Sequence, residues 1–179
     1  MARANLATLI AKTRLLIEDP TGAGQFFTDD QIQDALDARR DEARYYPLTE
    51  RETISAGGGT TTYLTFDAPV GYWETGVELV DSSYNVLSPA TGDLMAGRWT
   101  FSTEPDMPVM ITGFTHDLYG ASGDLLTQRA TIESDSFDVG ADGLTLARNQ
   151  KQANYRKRAE DYYAKARTKS VHLVRTDEW

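Results

Sequence analysis

Histidine, serine and acidic side chains lie close together at one point of the chain, where a nucleophilic site could be built. His116 is followed by Asp117 and stands six residues before Ser122. A Ser-His-Asp triad is recognised by its geometry, in which histidine accepts the serine proton. No serine occupies the Gly-x-Ser-x-Gly elbow that presents such a nucleophile. We therefore predict that Asp117 is an acid beside the N-terminus of a third helix. A hydrolase centred on His116 remains a hypothesis, ranked below the two that are given at the end of this section.

Other residues that could bind ligands lack the required spacing. Asp135, Asp138 and Asp142 do not follow the calcium-loop pattern, so we predict a solvated acidic turn. The glycines at 57–59 lack the lysine and helix start of a phosphate-binding loop, and indicate a hairpin tip. The chain has no cysteine, which excludes a disulfide scaffold, a thiolate metal site and a cysteine nucleophile. We predict no catalytic residue, no metal and no cofactor, and a protein that is not an enzyme.

Two helices are predicted at the start of the chain. The first carries one apolar stripe and ends near Asp19, because the residue before a proline is pushed out of the helical region. The stripe consists of Leu6, Leu9, Ile10, Thr13, Leu16 and Ile17. The second begins with a capping box of Thr28 and Gln31, and we predict that it continues to Tyr46 before Pro47. Residues 1–49 are thus expected to form a helical hairpin.

The middle of the chain has the character of β-structure. Residues 51–55 and 60–66 are β-prone on either side of the glycines at 57–59, which predicts a hairpin. Trp99 and Phe101 alternate with polar residues in a strand whose expected partner is 109–113, with further strands at 77–80 and 84–87. Residues 50–114 are expected to be an antiparallel β insertion.

Helical spacing resumes after residue 114. One helix is expected to begin near Thr115, and its Gly120 and Gly123 predict close approach of a neighbouring backbone. A last helix is expected at about 146–169, and residues 170–179 form an extended tail. The predicted fold is α+β: a helical-bundle core of about four helices, completed by residues 115–169, with an inserted β layer and that C-terminal tail.

Charge is divided unevenly along the chain, whose formal total is −9. Residues 1–147 contain 9 Lys/Arg and 23 Asp/Glu, whereas residues 148–175 contain 9 and 2. The basic stretch could contact phosphates or an acidic protein surface, and we favour a protein because the remainder repels DNA. A Trp near a chain end is a common anchor in a partner. The predicted partner contacts are Arg156, Lys157, Lys165, Lys169, Val171, Leu173, Val174 and Trp179.

Three segments of the chain together resemble one protein family. The first has Leu-Ile-x-x-Thr-Arg-x-Leu-Ile-x-Asp at 9–19, followed by Phe-Thr-Asp-x-x-Ile-x-x-Ala-Leu at 27–36. The second, at 108–126, includes Gly-x-x-His-Asp-Leu-Tyr-x-Ala-x-x-Asp-Leu-Leu from residue 113. The third has Phe-Asp-x-Gly-Ala-Asp-Gly at 137–143, then Arg-x-Gln-Lys at 148–151 and a basic closing helix. In this order and spacing the chain resembles the head–tail adaptor (connector or neck) proteins of long-tailed bacteriophages.

The resemblance implies a virion structural protein in the neck, made in the host cytoplasm. Adaptors of this kind form a homo-oligomeric ring, usually of twelve copies, that docks under the portal protein and contacts a downstream neck or tail protein. DNA would pass through the channel without specific binding, and no cofactor or catalysis is implied. The basic helix and apolar tail are expected to bind the portal. The alternatives are a small nucleic-acid-binding protein using the basic helix, or another phage neck protein such as a stopper. No apolar run approaches the length of a membrane span, so no membrane partner is expected.

Overall fold

The computed structural model describes residues 2–54, 61–135 and 144–167. These residues form four α-helices and two four-stranded antiparallel sheets, an α+β architecture. The predicted helical-bundle core with an inserted β layer is therefore wrong. The physical reason is that the sheets enclose an apolar core of their own, separate from the one between the helices.

The first two helices begin and end where local signals indicate. Helix α1 (Ala7–Ile17) follows a single 3-10 turn (Ala4–Leu6), and its C-cap, Glu18, has a left-handed φ of 54°. Helix α2 (Asp29–Asp37) has the predicted capping box. The Thr28 hydroxyl accepts the N–H of Gln31 at 3.2 Å, and the Gln31 side chain accepts the N–H of Thr28 at 2.8 Å. Both free backbone donors are thereby satisfied.

Helix α2 is shorter than predicted. It ends at Asp37, and strand β1 (Arg40–Pro47) replaces the expected helix as far as Tyr46. The predicted helical hairpin over 1–49 is therefore wrong beyond residue 38. The reason is that the backbone of 40–47 pairs with a strand about 70 residues later, which no local pattern reveals.

Seven further strands follow β1 along the chain, and the eight build two sheets. They are β2 (Thr49–Ile54), β3 (Thr61–Asp67), β4 (Glu78–Val80), β5 (Val86–Leu87), β6 (Thr91–Asp93), β7 (Arg98–Thr100) and β8 (Met110–His116). Sheet A has the order β1-β8-β4-β5, and sheet B has the order β2-β3-β7-β6. The predicted hairpin is confirmed by the antiparallel pairing of β2 with β3, although the glycines at 57–59 lie outside the described residues.

The predicted partner of the Trp99 strand is wrong. Strand β7 pairs with β3 and β6 in sheet B, whereas β8 pairs with β1 and β4 in sheet A. The turn at 104–108 therefore connects two sheets rather than two neighbouring strands. Between the sheets Trp73 and Trp99 pack edge to face with ring centroids 6.0 Å apart, in a core that also contains Phe66 and Ile111.

Helices α3 (Leu118–Asp135) and α4 (Leu144–Tyr163) complete the helical core. The predicted stripe of α1 is buried in it, with Leu6, Leu9 and Ile17 at most 1% exposed. From α3 it receives Leu118, Ala121, Leu125 and Leu126, and from α4 it receives Ala159.

The two glycines of α3 are explained by side chains, not by the neighbouring backbone that the sequence predicts. A Cβ at Gly120 would collide with the carboxylate of Asp117, which accepts the Gly120 N–H at 3.1 Å. A Cβ at Gly123 would lie 2.7 Å from the Tyr163 ring of α4. Glycine at these positions thus permits the N-cap of α3 and the close packing of α3 on α4.

We predict that Gly123→Ala lowers the free energy of unfolding by about 1–2 kcal/mol, because the added methyl group overpacks the contact with Tyr163. Helix propensity alone predicts the opposite sign, a gain of about 1 kcal/mol. In a Tyr163→Ala background the same substitution should become stabilising. Urea denaturation of the four chains of this cycle measures the sign change, and Gly24→Ala, with open space around it, is the control. If the Gly123→Ala single variant has a higher free energy of unfolding than the natural chain, Tyr163 does not pack closely against residue 123.

Candidate partner-binding surfaces

Two of the three residues that could form a catalytic triad, His116 and Asp117, bind other groups. His116 is fully buried, with Nδ1 2.9 Å from the carbonyl oxygen of Leu36 and Nε2 2.8 Å from Oε1 of Glu74. The hydroxyl of Ser122 is buried and has no hydrogen-bond partner among the described residues. Asp117 caps α3, as the sequence predicts for an acid at this helix end. The arrangement does not have the geometry of a nucleophilic triad.

Glu74 is the centre of a buried ion-pair network that sequence patterns do not reveal. Its carboxylate is 4% exposed and accepts hydrogen bonds from Asn5 at 2.6 Å and from Arg40 at 2.8 Å, besides its contact with His116. Arg3 lies 3.7 Å away and also pairs with Asp37. Burial raises the pKa of Glu74, but hydrogen bonds from His116 and Arg40 outweigh it, so the pKa lies below its ordinary value.

The same network contains the one group of described residues whose spacing could suit a metal ion. Ligand atoms of Asp37, Glu74 and His116 lie within 4.8 Å of one another. Two guanidinium groups, those of Arg3 and Arg40, already neutralise the carboxylates. A cation there would have to displace them, so the chemistry of the donor set fits a structural network better than a metal site.

A second buried network closes the loop between α1 and α2. Arg14 is 5% exposed and donates to the Asp19 carboxylate at 3.0 Å and to Asp29 at 2.6 Å. Asp19 in turn accepts the backbone N–H groups of Phe26 and Phe27. An arginine beside an apolar stripe, with an aspartate before the next proline, is the only sequence signal of this network. It holds the helical layer together and offers no free group for chemistry.

Those predicted partner contacts that the structure describes lie on the surface of the protein. Arg156 and Lys157 are exposed. Lys165 is also exposed, and its amine lies 6.0 Å and 5.9 Å from the ring centroids of Tyr119 and Tyr162. Lys169, Val171, Leu173, Val174 and Trp179 lie outside the described residues. Arg156 and Lys157 therefore lie next to each other on one exposed surface of α4, here called the basic face.

Two other arginines of the basic stretch have internal roles that sequence reasoning missed. Arg158 pairs with Glu18 at 3.0 Å and donates to the carbonyl oxygen of Leu16 at 2.9 Å, which fastens α4 to the end of α1. Arg167 donates to the carbonyl oxygen of Gly71 at 2.7 Å and to the Thr115 hydroxyl at 3.0 Å. Burial lowers the pKa of Arg167 from its ordinary value, against the effect of nearby carboxylates. The net charge of the basic stretch, residues 148–175, thus overstates the positive charge that a partner could contact.

Sheet B and the turn that follows β7 carry a cluster of acidic residues, whose charge is opposite to that of the basic face. Glu50, Glu52 and Glu104 are exposed around Tyr63. The charge of Glu52 is the main cause of a raised Tyr63 pKa, followed by burial and the charge of Glu50, with a further contribution from Glu104. Mutually repelling carboxylates at a surface favour a cationic partner. These three residues are here called the acidic cluster.

We predict that Glu74→Gln lowers the free energy of unfolding by about 3 kcal/mol at neutral pH, because it leaves Arg40 and its neighbours with an incompletely compensated charge. The pKa of Glu74 is depressed in the fold, so its contribution is complete above the ordinary value of 4.5. It disappears as the pH falls through the folded-state pKa, where the protonated acid resembles glutamine. Urea denaturation between about pH 3 and pH 8 should show the variant and the natural chain converging in acid. Glu78→Gln, on an exposed residue, is the control, and a pH-independent difference would contradict the assignment.

Comparison with known proteins adds no relative. No protein family, no curated protein and no solved structure matches the chain. Among the described residues no helix is long and apolar enough to cross a membrane. Any statement about function therefore depends on the surfaces described above and on the resemblance of the sequence motifs.

Proposed function

We propose that the chain is a structural subunit of a phage neck, a head–tail adaptor ring that docks under the portal and continues the DNA channel toward the tail. The observation that carries the proposal is the pair of oppositely charged surfaces on one subunit. Arg156 and Lys157 of the basic face form no ion pair with the described part of the chain, and neither do Glu50 and Glu104 of the acidic cluster. In this proposal the chain is an assembly subunit and not an enzyme.

Two different complementary surfaces are what a ring requires. Subunits of a ring meet head to tail, so each must present one surface to the preceding copy and another to the following copy. The basic face and the acidic cluster fit these two roles, and the resemblance to adaptors implies twelve copies around a portal. A neighbouring acidic surface would pair with Arg156 and Lys157, which form no ion pair within the described part of their own subunit.

The acidic remainder of the chain suits a channel for DNA. Residues 1–147 carry 23 acids against 9 basic residues, so a ring of such subunits has a strongly negative body. Like charges prevent the tight phosphate contacts that would retain DNA in the channel. DNA would then pass without specific binding, while the downstream neck or tail protein binds the opposite end of the ring.

Direct nucleic-acid binding through the basic face is the second candidate function. The exposed positions of Arg156 and Lys157 on one helix favour it. The neighbouring depression of about 460 Å³ argues against it, because Glu18 and Asp161 lie among its cations and would repel phosphate. Another neck protein, such as a stopper, would share the surfaces but differ in its position in the neck.

We predict that reversing the basic face with Arg156→Glu and Lys157→Glu prevents ring formation, because two attractive contacts in every interface become repulsive. Reversing the acidic cluster with Glu50→Lys and Glu52→Lys should have the same effect. The chain carrying all four substitutions should assemble again, since both signs are exchanged. Negative-stain images and sedimentation, with and without the portal ring encoded in the same genome, measure the outcome. Lys12→Glu, a charge reversal on the exposed side of α1, is the control.

Exposed ion pairs contribute only about 0.2–1 kcal/mol each, so the loss should be clearest at physiological salt and near the assembly threshold. Rings formed equally well by either double variant would overturn the assignment of the two surfaces. A failure of the natural chain to stack on portal rings would overturn the adaptor proposal itself.

Binding to duplex DNA separates the two candidate functions. An adaptor should show no measurable binding even at low salt, because the negative body outweighs the basic face. A nucleic-acid-binding protein should bind at low salt, with an affinity that falls steeply as salt is added. Fluorescence anisotropy of a labelled duplex over a salt series distinguishes these results.

A further inference from the structure

An exposed aromatic patch lies at one end of sheet A. Five of the eight large apolar side chains that are exposed in the described part of the chain belong to it, between 43% and 67% exposed. They are Tyr45, Tyr46, Tyr84, Val86 and Met107, here called the tyrosine patch. Aromatic and methionine side chains are enriched at protein–protein interfaces relative to the rest of a protein surface.

The backbone of the patch is held in an unfavourable conformation. Tyr45 and Tyr84 have φ values of 48° and 62°, a region that bulky residues rarely adopt. Their rings pack edge to face with centroids 5.4 Å apart. The N–H of Tyr45, at a bulge in β1, donates to the Thr112 hydroxyl at 3.1 Å. Strain at an exposed site, with aromatic side chains fixed in position, is a feature of binding surfaces.

Val86 and the root of the C-terminal segment belong to opposite faces of sheet A, whereas Tyr46, which is opposite Ile111, belongs to the face of Thr115. Along β8, Met110 and Thr112 point to one face, and Thr115 to the other. Val86 is opposite Val80 and Val80 is opposite Met110, so this apolar row shares the face of Thr112, which binds the Tyr45 N–H. Arg167, the last described residue, is bonded to Thr115. Arg167 therefore lies at the face of sheet A that does not carry Val86.

We propose that the tyrosine patch of one subunit binds the C-terminal segment, residues 168–179, of a neighbouring copy. The segment contains Val171, Leu173 and Val174 and ends in Trp179, the residue type most often found as an interface anchor. Its Lys169 and Arg175 flank the apolar residues. They complement Glu78, an exposed acid of the face of Thr112, whereas Glu42 on the same face is already paired with Arg44.

The length of the segment and the open edge of sheet A agree with this occupant. Twelve extended residues span about 40 Å, more than the eight residues of β1. In the described part of the chain β1 pairs with β8 alone, so its outer edge can hydrogen-bond an extended segment. Alternate side chains of that segment would then rest on the patch. This inference deepens the proposed ring and rests on it, and it gives the segment a receptor on this chain in place of the portal.

Because the chain has no cysteine, introduced thiols can report the contact in the full-length protein. Ser83→Cys places a thiol on an exposed residue beside Tyr84, and Thr176→Cys places one in the segment. When the two single variants are mixed under ring-forming conditions and oxidised, we expect disulfide-linked dimers. Their yield should be at least tenfold above that of Ser102→Cys with Thr176→Cys, since Ser102 is exposed beyond β7 in sheet B.

The patch itself is tested by Tyr45→Gly and Tyr84→Gly in the Ser83→Cys chain. Glycine accepts the left-handed backbone, so the rings are removed without loss of the local fold. The cross-link should fall to the Ser102 level, whereas Leu15→Ala, at an exposed apolar residue of α1, should leave it unchanged. Circular dichroism and thermal unfolding confirm that each variant is folded.

Other outcomes would overturn the inference. Equal yields for Ser83→Cys and Ser102→Cys would show that the segment has no preference for the patch. A disulfide formed only within single chains carrying both Ser83→Cys and Thr176→Cys would show that each subunit binds its own segment. Ring formation by the natural chain, scored by microscopy, tests the adaptor proposal separately, so rings without the patch cross-link would overturn this inference alone.

Discussion

The relative position of the helices and the sheets depends on one buried carboxylate, that of Glu74. It accepts hydrogen bonds from Asn5 before α1 and from Arg40 at the start of β1, and it contacts His116 at the end of β8. A buried charge that loses a partner destabilises a fold by several kcal/mol, so all three segments must meet at the same point. His116 immediately precedes the capping residue of α3, and its other ring nitrogen contacts the carbonyl oxygen of Leu36. The same contacts therefore fix the end of α2, the beginning of β1 and the beginning of α3.

Features that depend on neighbours in the chain could be predicted from the sequence, whereas features that depend on distant pairing could not. The capping box of Thr28 and Gln31 needs only four residues, and its prediction is correct. Ala43 of β1 follows Leu36 of α2 by seven residues, the spacing that one continuous helix would have, but the backbone of β1 pairs with β8. Secondary-structure preference is a weak constraint of about 1 kcal/mol, and such tertiary pairing overrides it. The incorrect partner of the Trp99 strand has the same origin, because sequence reasoning joins strands that are close in the chain.

The basic stretch illustrates why the candidate site could be only partly predicted. Composition does not distinguish Arg156 and Lys157, which are exposed, from Arg158 and Arg167, which bind backbone carbonyl oxygens. The distinction depends on whether a carbonyl oxygen of another segment lies within reach: that of Leu16 at the end of α1 for Arg158, and that of Gly71 for Arg167, which follows α4. The tyrosine patch could not be predicted either, because the sequence indicates a helix as far as Tyr46 and no local signal reveals the left-handed bulge at Tyr45.

The division of roles among these residues connects stability with assembly. Arg158 and Arg167 hold the subunit together, whereas Arg156 and Lys157 of the basic face form no ion pair in the described part of the chain. Left-handed backbone at Tyr45 and Tyr84 costs on the order of 1–3 kcal/mol at each residue, and their solvent-exposed rings recover little of that. In a closed ring every subunit buries each of its two contact surfaces once, so each one gains from both. A feature that destabilises the free subunit can then favour the assembled state, because the strained backbone already holds the aromatic anchors in position and less ordering remains when the neighbour binds.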